Sequence, residues 1–179
     1  RYSEKIRNFL GKKLKIPKNN FIFLYLGRIN KDKGIIELIE AFNKIEKLNR
    51  VFLILVGPIE DEGLKKLIKK QIKVIYKEHT STPEKWFSVA DILCLPSYRE
   101  GFGSVIIEAG ACNLPSLGSK IYGITDAIVE NQTGFFHKVG NISDIKKKML
   151  FVIKNRKSLK KYGLRSRIRV KKKFGTEFS

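Results

Sequence analysis

Methionine and tryptophan occur once each in this chain of 179 residues, and histidine and cysteine only twice. Cys94 and Cys112 cannot build a disulfide framework, and His79 and His137 stand in no Cys/His spacing that fits zinc. No stretch approaches eighteen consecutive apolar residues, so no membrane-crossing helix is expected. No segment has the layout of a signal peptide. These absences point to a soluble, reduced, cytoplasmic protein. Acidic residues are scarce too: 17 Asp+Glu face 37 Lys+Arg, for a net charge of +20 at pH 7. With 42% apolar residues the chain is too hydrophobic to be disordered, and its length suits one domain with a sizeable core. It opens on Arg1 rather than Met, and residues 1–13 read as the middle of a helix, so a piece of a longer chain is expected.

The positive charge is unevenly spread. Residues 142–179 hold fourteen Lys/Arg against Asp144 and Glu177, whereas residues 86–137 hold Arg99 and Lys120 against five acids. Of the 37 cations, 28 are lysines. A nucleic-acid binder more usually interleaves exposed aromatics with its cations and favours arginine, so nucleic acid is not expected as a partner. Two readings of the basic faces stay open: solvated helix surfaces, and a patch for anionic lipid headgroups at the inner face of a membrane.

Short apolar runs alternate with helical periodicity. Strands are expected at residues 21–26, 51–56, 74–76, 92–95, 116–117 and 134–136. Helices are expected where Ile35, Leu38, Ile39, Phe42 and Ile45 share a face, from Leu64 onward, and at 83–89, 104–111, 124–130, 142–154 and 156–173. Strands apolar on both faces, each followed by a helix, imply an α/β domain with a doubly wound parallel sheet of Rossmann type. Such sheets bind ligands beyond the carboxyl ends of their strands.

Two loops at such ends carry chemistry. After the first strand, Gly27 precedes Arg28, Lys31 and Lys33, a set of cations that suits a diphosphate; the plainer reading is a polar turn in a lysine-rich chain. After the fourth strand, residues 96–104 hold Glu100, Gly101, Phe102, Gly103 and Ser104, and Ser104 opens a helix whose first amides suit an anion. Glu108 sits in an otherwise apolar helix, where a carboxylate needs a partner such as a sugar hydroxyl, or else serves the helix dipole. Glu100 is equally readable as a surface acid paired with Arg99. The dinucleotide fingerprint is absent, because Ile106 stands where its third glycine belongs. The triplet Glu60-Asp61-Glu62 reads as a charged start to the Leu64 helix.

Three segments together resemble the C-terminal, donor-binding half of a retaining GT-B glycosyltransferase of family 4 (group 1). They are Leu26-Gly27-Arg28 with Lys33-Gly34, then Pro96-Ser97 with Glu100-Gly101-Phe102-Gly103 and Glu108-Ala109, then Tyr122-Gly123 through Asp126 to Gly134. The resemblance implies one half of a GT-B fold, with the acceptor-binding N-terminal domain missing. Residues 1–16 and 156–179 would then be helical segments packing toward that domain. It further implies that Gly27, Arg28 and Lys33 hold the diphosphate of a nucleotide-sugar, with a UDP-sugar expected. Glu108 would bind the ribose. Glu100, as the catalytic carboxylate, would contact the donor sugar together with Gly101, Phe102, Gly103 and Ser104. The base would lie near Tyr76 to His79. No metal or other cofactor is implied. The expected enzyme is a bacterial glycosyltransferase of surface-polysaccharide or lipid-linked glycan synthesis, inactive as an isolated half. Asn113 and Tyr122 stand where the family commonly has glycine, and Asp126 where it has glutamate. The alternatives are a basic non-catalytic nucleic-acid-binding α/β module, an NAD-type dehydrogenase and a sugar phosphorylase.

Overall fold

The computed structural model describes residues 4–47 and 49–175. Continuous apolar runs form the strands β1 (Phe21–Leu26), β2 (Val51–Val56), β3 (Val74–Lys77), β4 (Ile92–Leu95), β5 (Ser116–Ser119) and β6 (Gly134–His137). The helices are α1 (Glu4–Lys13), α2 (Ile35–Asn43), α3 (Glu62–Lys69), α4 (Pro83–Val89), α5 (Ser104–Ala111), α6 (Ile142–Lys154) and α7 (Leu159–Phe174). All six strands run parallel in the order β3-β2-β1-β4-β5-β6. Every residue of β4, β5 and β6 is buried, so both faces of the sheet are covered, as its unbroken apolar runs require. The doubly wound Rossmann-like reading of the sequence is the observed architecture.

Aromatic side chains two apart on β1 fill one face of the core. Phe21 and Phe23 have ring centroids 4.7 Å apart, and Phe23 meets Phe42 of α2 edge-on at 6.4 Å. Outside the sheet, α1 packs on α4, α2 on α6 and α5 on α7. Asp61 caps α3 by accepting from the Leu64 amide at 2.9 Å, the charged helix start expected from its sequence.

Three expectations change. Residues 124–130 form no helix but a run of turns, with amides of Thr125 and Ala127 reaching the carbonyls of Ile121 and Ile124. Ile124 and Ile128 are buried at helical spacing, which is why the segment looked helical; the Thr133 side chain takes the Val129 amide and stops the winding. Helix α2 ends at Asn43, and Ile45 is buried from the turn beyond it. The last helix begins at Leu159, after a 3-10 turn over Arg156–Ser158. Residues 1–3 and 176–179 of the expected terminal segments lie outside the described residues.

At the amino edge of the sheet one carboxylate gathers three segments. Asp91 accepts from Arg7 of α1 at 3.1 Å and from the Ile22 amide at 2.8 Å, and its Oδ2 lies 3.5 Å from Arg156. Asp91→Asn is expected to lower unfolding stability by about 1–3 kcal/mol, because two guanidinium groups lose their charged acceptor. Urea melts of the two proteins agreeing within about 0.5 kcal/mol would contradict this assignment.

Candidate functional site

Strands β1 and β4 are neighbours, yet the chain leaves β1 toward β2 and leaves β4 toward β5. That divergence opens a crevice at their carboxyl ends. A cleft of about 350 Å³ lies there, lined by Tyr25, Gly27, Arg28, Lys33, Glu100 and residues 101–105, among others. The structure thus brings together both loops singled out in the sequence.

The two loops are fastened to each other. Lys31–Lys33 forms a 3-10 turn that ends on Gly34, whose φ of +70° is left-handed. A Cβ there would lie 2.0 Å from the Pro96 carbonyl oxygen, so only glycine admits this approach. The Tyr98 amide donates to the Asp32 carbonyl at 2.8 Å, and Arg99 pairs with Asp32 at 3.2 Å. The Tyr98 hydroxyl donates to Glu37 of α2. That bond, followed by burial, pushes the Tyr98 phenol up to about 12.

Charge in the cleft is arranged in two pairs. Lys33 donates to Glu100, with side chains only 16% and 14% exposed. Glu100 is therefore not the partner of Arg99. Arg28 lies 3.6 Å from Glu60, and this pair is open to solvent, 64% and 40% exposed. Asn30 also donates to Glu60, at 2.8 Å. The Tyr25 hydroxyl donates to the Arg28 carbonyl at 2.5 Å; burial, with Glu100 adding to it, pushes its phenol well above the usual range. Among the described residues the amides of Gly101, Phe102, Gly103 and Ser104 have no acceptor, so four residues of the cleft lining carry a free backbone donor.

The third motif segment supports this wall. Gly123, at φ +94°, packs so closely that a Cβ would stand 2.3 Å from the Glu100 carbonyl oxygen. Arg169 of α7 donates to the carbonyls of Asp126 and Ala127 at 2.8 and 3.4 Å. Phe174 meets Phe102 edge-on, centroids 6.1 Å apart. Asn113 takes a left-handed φ of +64°, which asparagine tolerates in place of the glycine expected there, and Tyr122 is 89% exposed.

Not every expected residue reaches the cleft. Ser104 lines it, while Glu108 lies one helical turn farther along the same face of α5, half-buried and without a hydrogen-bond or ion-pair partner among the described residues. Burial raises its carboxyl above the ordinary range. Tyr76 and His79 are not in the lining either; the Tyr76 hydroxyl donates to the Gly57 carbonyl at 2.8 Å. Tyr25 and Glu60 were missed by sequence reasoning. Tyr25 sits inside an apolar run, and Glu60 belongs to a triplet whose neighbour Asp61 caps a helix. Larger hollows of about 590 and 800 Å³ beside α7 and α1 present cations and apolar groups with no carboxylate among their lining residues. Among the described residues no group of three His, Cys, Asp or Glu could hold a metal ion, and no helix is long and apolar enough to cross a membrane.

The family model described as Glycosyl transferases group 1 matches residues 6–169. The capsular polysaccharide biosynthesis glycosyltransferase CapM of Staphylococcus aureus is 33% identical over 169 residues, covering 91% of this chain and 44% of CapM. A glycosyltransferase from Rickettsia africae has the same fold at TM-score 0.86 and 26% identity, over 98% of this chain and 49% of that one. Anabaena Alr3699/HepE, solved in complex with UDP-glucose, superposes at TM-score 0.87 and 21% identity, over 96% of this chain and 49% of its own. The chain thus spans a little under half the length of these relatives. By its motifs, its sheet and these likenesses, the chain belongs to the group 1 glycosyl transferases.

Proposed function

We propose that this chain is the donor-binding half of a glycosyltransferase that takes a sugar from a nucleoside diphosphate, a UDP-sugar by preference. The sugar would pass with retention to a glycan or lipid-linked acceptor held by an N-terminal domain. The observation that carries this reading is the composition of one cleft. Arg28 and Lys33 line the same cleft as Glu100 and four residues whose amides have no acceptor among the described residues, at the point where the sheet changes direction. Breaking the sugar–phosphate bond leaves negative charge on the diphosphate and positive charge on the ring. Fixed cations and helix-start amides stabilise the first, and a carboxylate beside the ring stabilises the second. The two cations supply this neutralisation with no metal ion. Glu108 takes the ribose hydroxyls, which would give its half-buried carboxylate the donors the protein does not provide.

The role in polysaccharide synthesis is supported by the name of CapM, and a UDP-sugar donor by the ligand of HepE. The exposed lysines Lys65, Lys66 and Lys69 of α3 and Lys70 just after it, with those of α7, suit an anionic leaflet and a peripheral place at the inner face of a membrane. Calorimetric titration of the chain with UDP, GDP and ADP tests the reading. One of them is expected to bind at micromolar concentration, and Glu108→Ala to weaken it about tenfold while leaving inorganic pyrophosphate, which has no ribose, unchanged. Binding of none of the three below about a millimolar would overturn the assignment.

A further inference from the structure

The ion pairs of the cleft have a consequence for how it is loaded. Both cations assigned to the diphosphate already hold a carboxylate: Lys33 holds Glu100, and Arg28 lies against Glu60. A diphosphate entering between them must take over at least the Lys33 ammonium, which has three N–H donors but a single compact charge. The Arg28–Glu60 pair is exposed, so water and salt weaken it and its exchange costs little. The Lys33–Glu100 pair is mostly shielded, and its opening is a real competitor to binding.

We infer that Lys33 is a shared cation: in the empty cleft it holds Glu100, and a bound diphosphate exchanges for that carboxylate and releases Glu100 toward the donor sugar. This rests on the proposed nucleotide-sugar reading and adds to it an internal competitor. The two loops are tied to each other, the Tyr98 amide holding the Asp32 carbonyl and Arg99 its carboxylate, and they are packed together at Gly34 and Pro96, so loop separation is not the easy way to relieve the competition. Exchange therefore falls to side chains, and the flexible lysine stem is the part that can swing. Released Glu100 has the amides of Gly101 and Phe102 next to it in sequence and the cleft in front of it. Its carboxylate becomes available to the ring only when the leaving group is seated. An empty or base-only occupied cleft keeps it neutralised.

The test is a double-mutant cycle on the 179-residue chain, read by calorimetry with UDP and with inorganic pyrophosphate. Glu100→Gln keeps the shape and removes the charge. It is expected to tighten both ligands by about three- to tenfold, whereas Glu60→Gln, in the exposed pair, changes them less than about twofold. In a Lys33→Ala background the gain from Glu100→Gln is expected to disappear, since no pair remains to be opened. A gain that persists undiminished there marks plain repulsion between Glu100 and the ligand, and overturns the exchange. So does a Glu100→Gln chain that binds as well as, or more weakly than, the parent. Glu100→Ala replaces the glutamine variant if thermal melting shows the latter unfolded. Failure of the parent and all variants to bind either ligand removes the nucleotide-sugar reading itself, a result distinct from normal parental binding with no gain.

Discussion

Replacing Gly34 by alanine is expected to lower the folding stability by about 3 kcal/mol and to spread the two loops of the cleft. The left-handed backbone alone costs an alanine about 1–2 kcal/mol. A methyl 2.0 Å from the Pro96 carbonyl oxygen cannot be accommodated without moving that carbonyl, which adds about 1–3 kcal/mol. The displaced segment leads directly into Tyr98, Arg99 and Glu100, so the same substitution should disturb the Tyr98–Asp32 bond and the position of Glu100. Urea unfolding gives the stability, and UDP titration of the folded fraction gives the effect on the cleft. A variant within about 0.5 kcal/mol of the parent would mean that residues 96–100 move freely, and that the loops are not fastened as described.

The largest expected loss of ligand binding follows from removing both cations. Arg28→Ala with Lys33→Ala is expected to weaken UDP by roughly 100-fold at physiological salt, about 1.5 kcal/mol for each charge-assisted contact. Neither side chain belongs to the hydrophobic core, but Lys33→Ala leaves the shielded Glu100 carboxylate without its cation, so a lowered thermal midpoint is expected and the titration is read at a temperature where melting shows the variant folded. A loss smaller than about threefold would show that the amides of residues 101–104, rather than the cations, carry the anion. The sensitivity to salt should fall as well, because the exposed Arg28 contributes a screened, longer-range attraction.

Much of the architecture is visible in the chain before any coordinates. Strands β1 and β2 are six-residue apolar runs, buried at five of six positions each, as in a parallel sheet covered on both faces. Strand β5 is harder to see. Its sequence, Ser-Leu-Gly-Ser, carries little apolar signal, and burial comes from its place between β4 and β6. The turns at 121–128 mimic a helix because Ile124 and Ile128 are four apart; what decides against winding is the Thr133 hydroxyl on the Val129 amide. The site was legible as two loops, since each stands at a strand's carboxyl end. The pairing inside it was not. Lys33 and Glu100 are 67 residues apart, and nothing local distinguishes that partnership from Arg99 with Glu100. Glu108 was read from its place in an apolar helix alone, and the depth of the crevice, which leaves it a turn beyond the lining, depends on packing that no spacing encodes.

Asp91 ties together the opening helix, the first strand and the stretch that leads into α7, on the side of the sheet away from the crevice. A knot so placed should make α1 and the turn at Arg156 melt with the sheet instead of peeling off ahead of it. Lys33 and Glu100 can therefore trade partners at the opposite rim while the hem stays sewn.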